Sequence, residues 1–266
     1  MFNLTKKSGT GRVIPAILIA VATFGVSGLS AQDFEWQGAV DRGDAVTIRG
    51  VNGDIVVRRG SGQVSVEAFK SSRDDDVSDV RIEVIEDREG VLICAVYPSR
   101  EGRRPNRCAR GEDYRMNTHD FNVTVDFVVE IPAGVDLEAI TVNGEIEAIG
   151  LSGDVKAVTV NGDVEVEADG VVSAVTVNGS IEAAMGTAPS NDITFTTVNG
   201  GIRITLPEGT DADVHFSTVN GHIESDFPIT IRGRWGPRSA SGELGRGGPE
   251  ITASTVNGSI ELISGR

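Results

Sequence analysis

Thr141-Val142-Asn143-Gly144 is the first of six copies of one tetrapeptide, and these copies decide the fold. From one asparagine to the next the copies are 18, 17, 21, 21 and 37 residues apart, and an abbreviated copy, Val51-Asn52-Gly53, lies far upstream. Such a period is typical of stacked coils, so we predict an all-β protein: a right-handed, parallel β-solenoid-like stack of about 20-residue coils, preceded by additional β-strands packed against it. The other copies are residues 159–162, 176–179, 197–200, 218–221 and 255–258.

Apolar residues recur at fixed positions around each asparagine. In the first copy Leu137 and Ala139 lie six and four positions before it, and Ile146 lies three after it. Two alternating arms joined at Asn-Gly predict two short strands with a corner between them. Asparagine tolerates unusual backbone angles and glycine accepts positive φ, so the pair suits a corner. The predicted corner and ladder residues are Asn143, Gly144, Asn161, Gly162, Asn178, Gly179, Asn199, Gly200, Asn220, Gly221, Asn257 and Gly258.

The strand alternation leaves two arrangements open. In the one that we favour, threonine and asparagine share the core face, the asparagine amides form an internal ladder, and the valines lie opposite. The reverse arrangement buries the valines and exposes the threonines. In the favoured arrangement we expect the N-terminal strands to cover the valine row, because soluble proteins rarely expose large apolar patches. The row consists of Val142, Val160, Val177, Val198, Val219 and Val256.

The first 31 residues have the layout of a secretory signal peptide. Lys6, Lys7 and Arg12 precede an apolar run of 14 residues, 13–26, and a small-residue exit ends at Ala31. That run is too short for a comfortable membrane span. We therefore expect an exported, soluble protein of the periplasm or the extracellular space, without a transmembrane segment after signal cleavage. Residues 32–266 are expected to form one domain, with N-terminal strands to residue 133 and the repeat solenoid from 134.

Cys94 and Cys108 are the only cysteines of the chain. An oxidising compartment favours a disulfide between them, whereas a redox-active pair would favour Cys-x-x-Cys spacing and a zinc site would need further ligands. The loop around Cys108, residues 98–117, carries six arginines against three acidic residues. These arginines could bind an acidic polymer or dock on the protein's own carboxylates, and we favour the second.

The overall charge limits the classes of function that the sequence allows. A formal charge of −15 and a pI near 4.6 argue against nucleic-acid binding. His119, His215 and His222 form no metal or triad spacing, and the run at residues 74–76 reads as an exposed loop rather than a calcium site. Outward carboxylates could include an acid/base pair for cleaving glycans, but a solvated strand face explains them more simply. They are Glu145, Glu147, Asp154, Asp163, Glu165, Glu167 and Glu182.

Residues 125–135, Val-Asp-Phe-Val-Val-Glu-Ile-Pro-Ala-Gly-Val, and the Asn-Gly units that follow carry a family resemblance. Together with Leu151-Ser152-Gly153-Asp154-Val155 they resemble the bacterial "putative adhesin" family of domains of unknown function, over roughly residues 44–263. The resemblance implies a solenoid-like envelope or secreted protein, and it supplies no catalytic residues. The long step across residues 232–250 departs from regular spacing and argues against continuous stacking there.

These patterns predict a non-catalytic, exported, adhesin-like interaction or structural module without cofactor or metal. Its partner would be an envelope protein or a surface glycan. The alternatives are a carbohydrate-active enzyme on a β-helix scaffold and an envelope-stress signalling partner. A basic, glycine-rich segment forms either a candidate interaction loop or a disordered insertion between coils. The residues proposed for that interaction loop are Arg232, Arg234, Trp235 and Arg238.

Overall fold

The computed structural model describes residues 34–99, 101–118, 121–232 and 237–265, so the predicted signal peptide lies outside the described residues. The N-terminal part contains the 3₁₀ turns Val77–Asp79 and Gly111–Asp113. Within the described ranges, no helix is long and apolar enough to cross a membrane. The strands of this part are β1 (Phe34–Gly38), β2 (Ala45–Arg49), β3 (Ile55–Arg59), β4 (Val64–Ser71), β5 (Arg81–Asp87), β6 (Gly90–Val96) and β7 (Thr124–Ile131).

The repeat region is built from short strands on either side of each tetrapeptide. Its first eight are β8 (Asp136–Ile140), β9 (Ile146–Leu151), β10 (Val155–Val158), β11 (Val164–Ala168), β12 (Val172–Val175), β13 (Ile181–Met185), β14 (Ile193–Thr196) and β15 (Ile202–Pro207). The remainder are β16 (Ala212–Asn220), β17 (Ile223–Ser225), β18 (Thr230–Arg232), β19 (Arg238–Leu244), β20 (Glu250–Asn257) and β21 (Ile260–Gly265).

The strands form two sheets, and each coil contributes one strand to each. The strand before the tetrapeptide joins the sheet ordered β18-β19-β16-β20-β14-β12-β10-β8-β2-β6-β5, and the strand after it joins the sheet ordered β1-β4-β7-β3-β9-β11-β13-β15-β21-β17. Neighbouring coils pair in parallel and in register, so that Leu137 lies beside Val155 and Val155 beside Val172. The predicted all-β, solenoid-like fold is therefore confirmed.

The inward rows of the two sheets form the core. Apolar side chains six and four positions before each asparagine pack against those three positions after it, as strand alternation requires. Leu137, Val155 and Ile146 are exposed by 2 % or less. One apolar cluster runs through all the coils and into the N-terminal strands.

The coils do not stack in the order of the sequence. β20 lies between β14 and β16, and β21 lies between β15 and β17. The last repeat is thus inserted between the fourth and the fifth. The 37-residue step contains β18 and β19, an antiparallel hairpin that extends the sheet beyond β16, and the chain then returns to the inner position. As expected, regular coil stacking does not continue across residues 232–250, where the chain forms this hairpin. The stack as a whole is still continuous, because the returning coil lies between the fourth and the fifth.

The N-terminal strands prolong the same two sheets. β2 pairs in parallel with β8 and β3 with β9, which makes Val51-Asn52-Gly53 the corner of a further coil. β6 and β7 add the next parallel strands, and β5, β4 and β1 finish the edges in antiparallel pairing. The hairpin expected from residues 81–85 and 90–96 is confirmed as β5 and β6.

Candidate functional site

The threonine of each repeat is buried and hydrogen-bonded to its neighbouring coil. All six threonines are exposed by 5 % or less. The Thr176 hydroxyl donates to the Gly162 carbonyl at 3.0 Å, and the other five make the equivalent bond at 2.8–3.1 Å. A hydroxyl can be buried at low cost when it is paired in this way. The structure therefore has the arrangement in which threonine faces the core and valine faces outward.

The repeat glycines allow successive corners to approach closely. A Cβ on any of the six would lie 1.8–2.0 Å from the carbonyl oxygen of the glycine in the adjacent coil. We expected positive φ to require glycine here, but only Gly162, at 158°, has φ between +20° and +160°. That expectation is wrong for the other five, because the contact with the neighbouring coil excludes a side chain at this position.

The asparagines form a continuous ladder at the corner. Six side-chain hydrogen bonds of 2.8 Å join seven asparagines, and in each bond the amide donates to the side-chain oxygen of the asparagine that precedes it in the order Asn52, Asn143, Asn161, Asn178, Asn199, Asn257 and Asn220. The ladder lies at the surface and not in the core, which corrects our expectation. The strand alternation that buries the threonine does not continue to the asparagine, because the turn begins at the valine between them.

The valine of each repeat points to solvent: Val219 and Val256 lie in β16 and β20 of the 11-stranded sheet, and the other four lie at the corner that follows their strand. Val142, Val160, Val177, Val198, Val256 and Val219 are exposed by 37, 36, 36, 36, 39 and 42 %. Cover by the N-terminal strands, as we expected, is wrong, because those strands lengthen the sheets instead of crossing them. Adjacent valines are about 4.8 Å apart, the spacing of neighbouring strands.

A second row widens the apolar strip over the first coils. Ile140, Val158 and Val175 lie side by side two positions before the valines, and Val175 is also 36 % exposed. Thr196, Ser254 and Ser217 continue this row over the later coils. We call the six outward valines and the seven ladder asparagines the valine–asparagine surface; it carries no charged side chain.

Several aspartates hold the corners together. Asp54 and Asp163 accept the backbone N–H groups of Glu145 and Ser180 at 2.8 and 2.7 Å, each in an adjacent coil. At the opposite corner Asp154 accepts the Val171 N–H at 2.8 Å. These hydrogen bonds satisfy backbone donors that the strands leave unpaired. The aspartate after Asn-Gly or Ser-Gly is therefore part of the corner.

The glutamates considered for catalysis lie along the outer face of the other sheet. Glu147, Glu165 and Glu182 occupy neighbouring strands in one row, and Glu147 forms an ion pair with Arg58. Glu145, Glu165, Glu167 and Glu182 are exposed. Of the described residues, no group of three His, Cys, Asp or Glu side chains has the arrangement of a metal site.

The two described histidines, His215 and His222, have separate surroundings. His222 Nδ1 lies 2.8 Å from Ser259 Oγ, and its Nε2 lies 3.5 Å from Glu224. His215 is exposed on β16 beside Thr252. His119 lies outside the described residues.

The two cysteines form a disulfide with an S–S distance of 2.01 Å. Cys94 and Cys108 are buried with Leu92 and Val96, and the bond fixes residues 98–117 to β6. A closed loop of this size contributes about 3 kcal/mol in the chain-entropy model. The basic loop is therefore attached covalently to the end of the stack.

The arginines of this loop behave in two ways. Arg110 donates to Asp87 at 2.9 Å and to the Thr47 hydroxyl at 3.1 Å, and it lowers the pKa of Asp87. Arg103, Arg104, Arg107 and Arg115 form no ion pair with the carboxylates that the structure describes. The expectation of docking on the protein's own carboxylates is thus confirmed for Arg110, and none of the described carboxylates bears it out for these four, while Arg100 lies outside the described residues.

The candidate loop of residues 232–238 connects β18 to β19. Arg232 is exposed and Arg238 is half-buried, whereas Arg234 and Trp235 lie outside the described residues. Arg238 lies opposite Thr218 on β16, so the described ends of this loop adjoin the last corner of the ladder.

Sequence reasoning overlooked a buried tyrosine in the N-terminal part of the stack. Tyr97 follows β6, is 1 % exposed, and donates its hydroxyl to the Val123 carbonyl at 2.8 Å. Burial raises its pKa to about 12. The sequence signal that could have identified Tyr97 is its position directly after a buried strand.

Comparisons with known proteins agree with this architecture. The family model of the Toastrack DUF4097 domain matches residues 39–262. A comparison with curated proteins gives no match. A "putative cell adhesion protein" from Clostridium sporogenes ATCC 15579 aligns with 9 % identity and a TM-score of 0.43, over 87 % of this chain and 99 % of that one.

A "putative adhesin" from Bacteroides fragilis NCTC 9343 aligns with 13 % identity and a TM-score of 0.28, over 86 % of this chain and 96 % of that one. These two structural similarities are too low to support a statement about what this chain binds. The family match spans most of the chain, including every corner of the ladder. The chain therefore belongs to the Toastrack DUF4097 family.

Proposed function

We propose that the protein is an exported, non-catalytic interaction module that binds an envelope protein or a surface glycan through its valine–asparagine surface. The observation that carries this proposal is the row of six valines, each 36–42 % exposed, on one face. Apolar side chains arranged in a continuous exposed row are typical of binding surfaces.

Backbone preference alone does not explain valine at these positions. Valine suits an extended backbone because it is branched at Cβ, but threonine has the same shape and the same preference. Threonine would also offer its hydroxyl to water. Six exposed valines in one row therefore favour contact with an apolar partner surface over a purely structural role.

The lack of charge on this surface limits the partner. The protein carries a net charge of −15, yet the surface presents only methyl groups and amides. Amides can bond to carbonyl or hydroxyl groups, and methyl groups can cover a flat apolar face. A protein strand or the C–H face of a sugar chain meets both requirements.

The use of the carboxylates supports a module without catalysis. Asp154 and Asp163 bond to backbone N–H groups, and Glu147 is paired with Arg58. Glu147, Glu165 and Glu182 form a row on the outer face of a sheet. Charged side chains are expected at such exposed positions for solubility alone. The layout of residues 1–31, a basic start, an apolar run and a small-residue exit, supports export.

Paired valine substitutions test the proposal. The variant Val160→Thr/Val177→Thr changes two neighbouring valines of the surface, and Val56→Thr/Val128→Thr changes two neighbouring valines on the other sheet. Burying two unpaired hydroxyls against a partner costs about 2 kcal/mol or more, so co-sedimentation with isolated cell envelopes should weaken more than tenfold in the first variant only.

Equal binding by the two variants and the unchanged protein would refute the valine–asparagine surface as the binding site. A separate assay covers the enzyme alternative. Turnover of neutral or anionic glycans that disappears in Glu182→Gln would contradict the non-catalytic part of the proposal.

A further inference from the structure

We infer that the disulfide-pinned loop holds a second binding site, for a multiply charged oxyanion such as a phosphate group. A cavity of about 700 Å³ opens in this loop. Arg103, Arg104 and Arg115 line it, and Pro98 and Met116 form apolar parts of its wall. The inference rests on these residues and is independent of the valine–asparagine surface.

The loop backbone is held in place before any ligand arrives. The Asn106 side chain donates to the Tyr97 and Asn117 carbonyls at 2.9 Å each, and its oxygen accepts the Asn117 N–H at 2.8 Å. Arg107 and Arg115 exchange two backbone hydrogen bonds of 2.7 and 3.1 Å. With the adjacent disulfide, these bonds close both ends of the loop around the cavity. Preorganisation of this kind lowers the entropy cost of binding.

The arginines of the cavity have donors to spare. Arg103 and Arg104 are exposed and form no ion pair or side-chain hydrogen bond within the described residues. Arg115 uses one donor on the Pro105 carbonyl at 3.3 Å. Among the residues that the structure describes, no carboxylate lines the cavity. Arg110 in the same loop, by contrast, forms ion pairs with Asp87 at 2.9 Å and Glu89 at 3.7 Å.

Grouping three positive charges without a counterion is unfavourable, and an anion would relieve it. The contrast with the rest of the molecule is large, because the whole chain carries a formal charge of −15. The cavity is thus a local positive site in an acidic protein. Such a site attracts an anion through its own arginines and not through the net charge of the protein.

The chemistry of the guanidinium group identifies the class of anion. Its planar fork matches the oxygens of phosphate and can bond to two of them at once. Three forks around one cavity favour an anion with more than one charge over a single carboxylate. The volume also lies within the range of small-molecule sites, roughly 300–1,000 Å³. A phosphate-bearing compound or a lipid phosphate headgroup fits both the charge and the size.

Calorimetric titration of the purified protein with sodium pyrophosphate at low salt tests the inference, with sodium acetate as the comparison anion. The variant Arg103→Gln/Arg104→Gln should bind pyrophosphate at least tenfold more weakly. The control Arg73→Gln/Arg88→Gln removes the same charge from two exposed arginines outside the cavity and should bind like the unchanged protein. Acetate should give no measurable heat in any of them.

Equal weakening in the two variants, or no pyrophosphate binding by the unchanged protein, would overturn the inference. Amide chemical shifts of the unchanged protein give a second readout, which does not depend on any variant folding. They should move with pyrophosphate within residues 98–117, and shifts confined to other regions would also overturn it.

Vesicles separate the two sources of phosphate. Co-sedimentation with vesicles of phosphatidic acid, whose phosphate monoester can carry two negative charges, but not with phosphatidylcholine vesicles would identify a lipid phosphate headgroup as the ligand, provided that it is lost in Arg103→Gln/Arg104→Gln. Pyrophosphate binding without vesicle binding would identify a soluble phosphate compound. Either result supports the site.

Discussion

Gly179 lies so close to the preceding coil that a Cβ on it would stand 2.0 Å from the Gly162 carbonyl oxygen. Both groups belong to the backbone of a hydrogen-bonded stack, so neither can move away easily. We expect Gly179→Ala to destabilise the protein by about 3 kcal/mol or more in urea unfolding. Gly62→Ala is the control. No heavy atom lies within 4 Å of a Cβ at this position, so this substitution should hardly change the free energy of unfolding. Similar losses in both variants would contradict the close-approach explanation.

Asn178 contributes two bonds to the exposed ladder, one to Asn161 and one from Asn199, each 2.8 Å long. Because water can replace part of these bonds at the surface, Asn178→Ala should cost only about 1 kcal/mol. Asn191→Ala removes an exposed asparagine whose side chain bonds only to Ser190 at 3.4 Å, and it should cost less. Indistinguishable unfolding midpoints for the two variants would show that the ladder adds no stability.

At the scale of single residues, sequence reasoning could predict which side chains face inward. Alternation around Leu137 and Ala139 placed threonine in the core and valine outside, and the structure agrees. It could not predict why glycine is needed or that asparagine is exposed. Both depend on how closely one coil approaches the next, which is a property of the stack and not of an isolated turn.

At the scale of elements, the corner between β6 and β7 differs from the others because Tyr97 and the disulfide loop replace a tetrapeptide. Burial raises the pKa of Tyr97 to about 12 from its usual 10.0, so the folded protein holds this proton more tightly than the unfolded chain does. The resulting stabilisation is complete below pH 10 and is lost as the pH rises through 12.

The Tyr97→Phe variant isolates this effect, because every other titrating group is shared with the unchanged protein. Relative to Tyr97→Phe, the unchanged protein should lose about 2 kcal/mol of unfolding free energy between pH 10 and pH 12, because this interval covers most of the linkage between the two pKa values. Urea unfolding across this range measures it. A difference that stays constant would mean that the Tyr97 hydroxyl is not buried as the structure shows.

The basic loop shows what sequence can and cannot reveal about an element. Cys94 and Cys108 could be paired from export and number alone, and the structure contains that bond. Which arginines find carboxylates could not be predicted, because Asp87 reaches Arg110 only through the β5–β6 hairpin. The sequence therefore indicated a basic loop that could bind an anion, but not which of its arginines lie at the cavity.

At the scale of the whole molecule, the inserted last coil gives β20 two neighbours, β14 and β16. Its backbone amides should therefore resist hydrogen exchange as strongly as those of β12, near the middle of the stack. In a solenoid that followed the chain order, the last coil would be terminal and would exchange quickly. Exchange in β20 as fast as in the edge strand β18, measured by mass spectrometry, would contradict the inserted order.

The repeat period could predict a stack but not this order of coils. Six identical corners can stack on one another in any order, since each makes the same threonine, glycine and asparagine hydrogen bonds to its neighbour. The order is decided instead by the β18–β19 hairpin, which occupies the outer side of β16 and leaves the inner side to the returning chain. In the sequence, this insertion is visible only as an unusually long distance between the last two repeats.

The central claim is that threonine, asparagine and glycine hold the stack together while valine is left free to bind. Its most direct test measures urea unfolding and envelope co-sedimentation on the same Val160→Thr/Val177→Thr protein. The account predicts an unfolding free energy within about 0.5 kcal/mol of the unchanged protein and envelope binding more than tenfold weaker. A protein that loses stability but binds envelopes as before would contradict it.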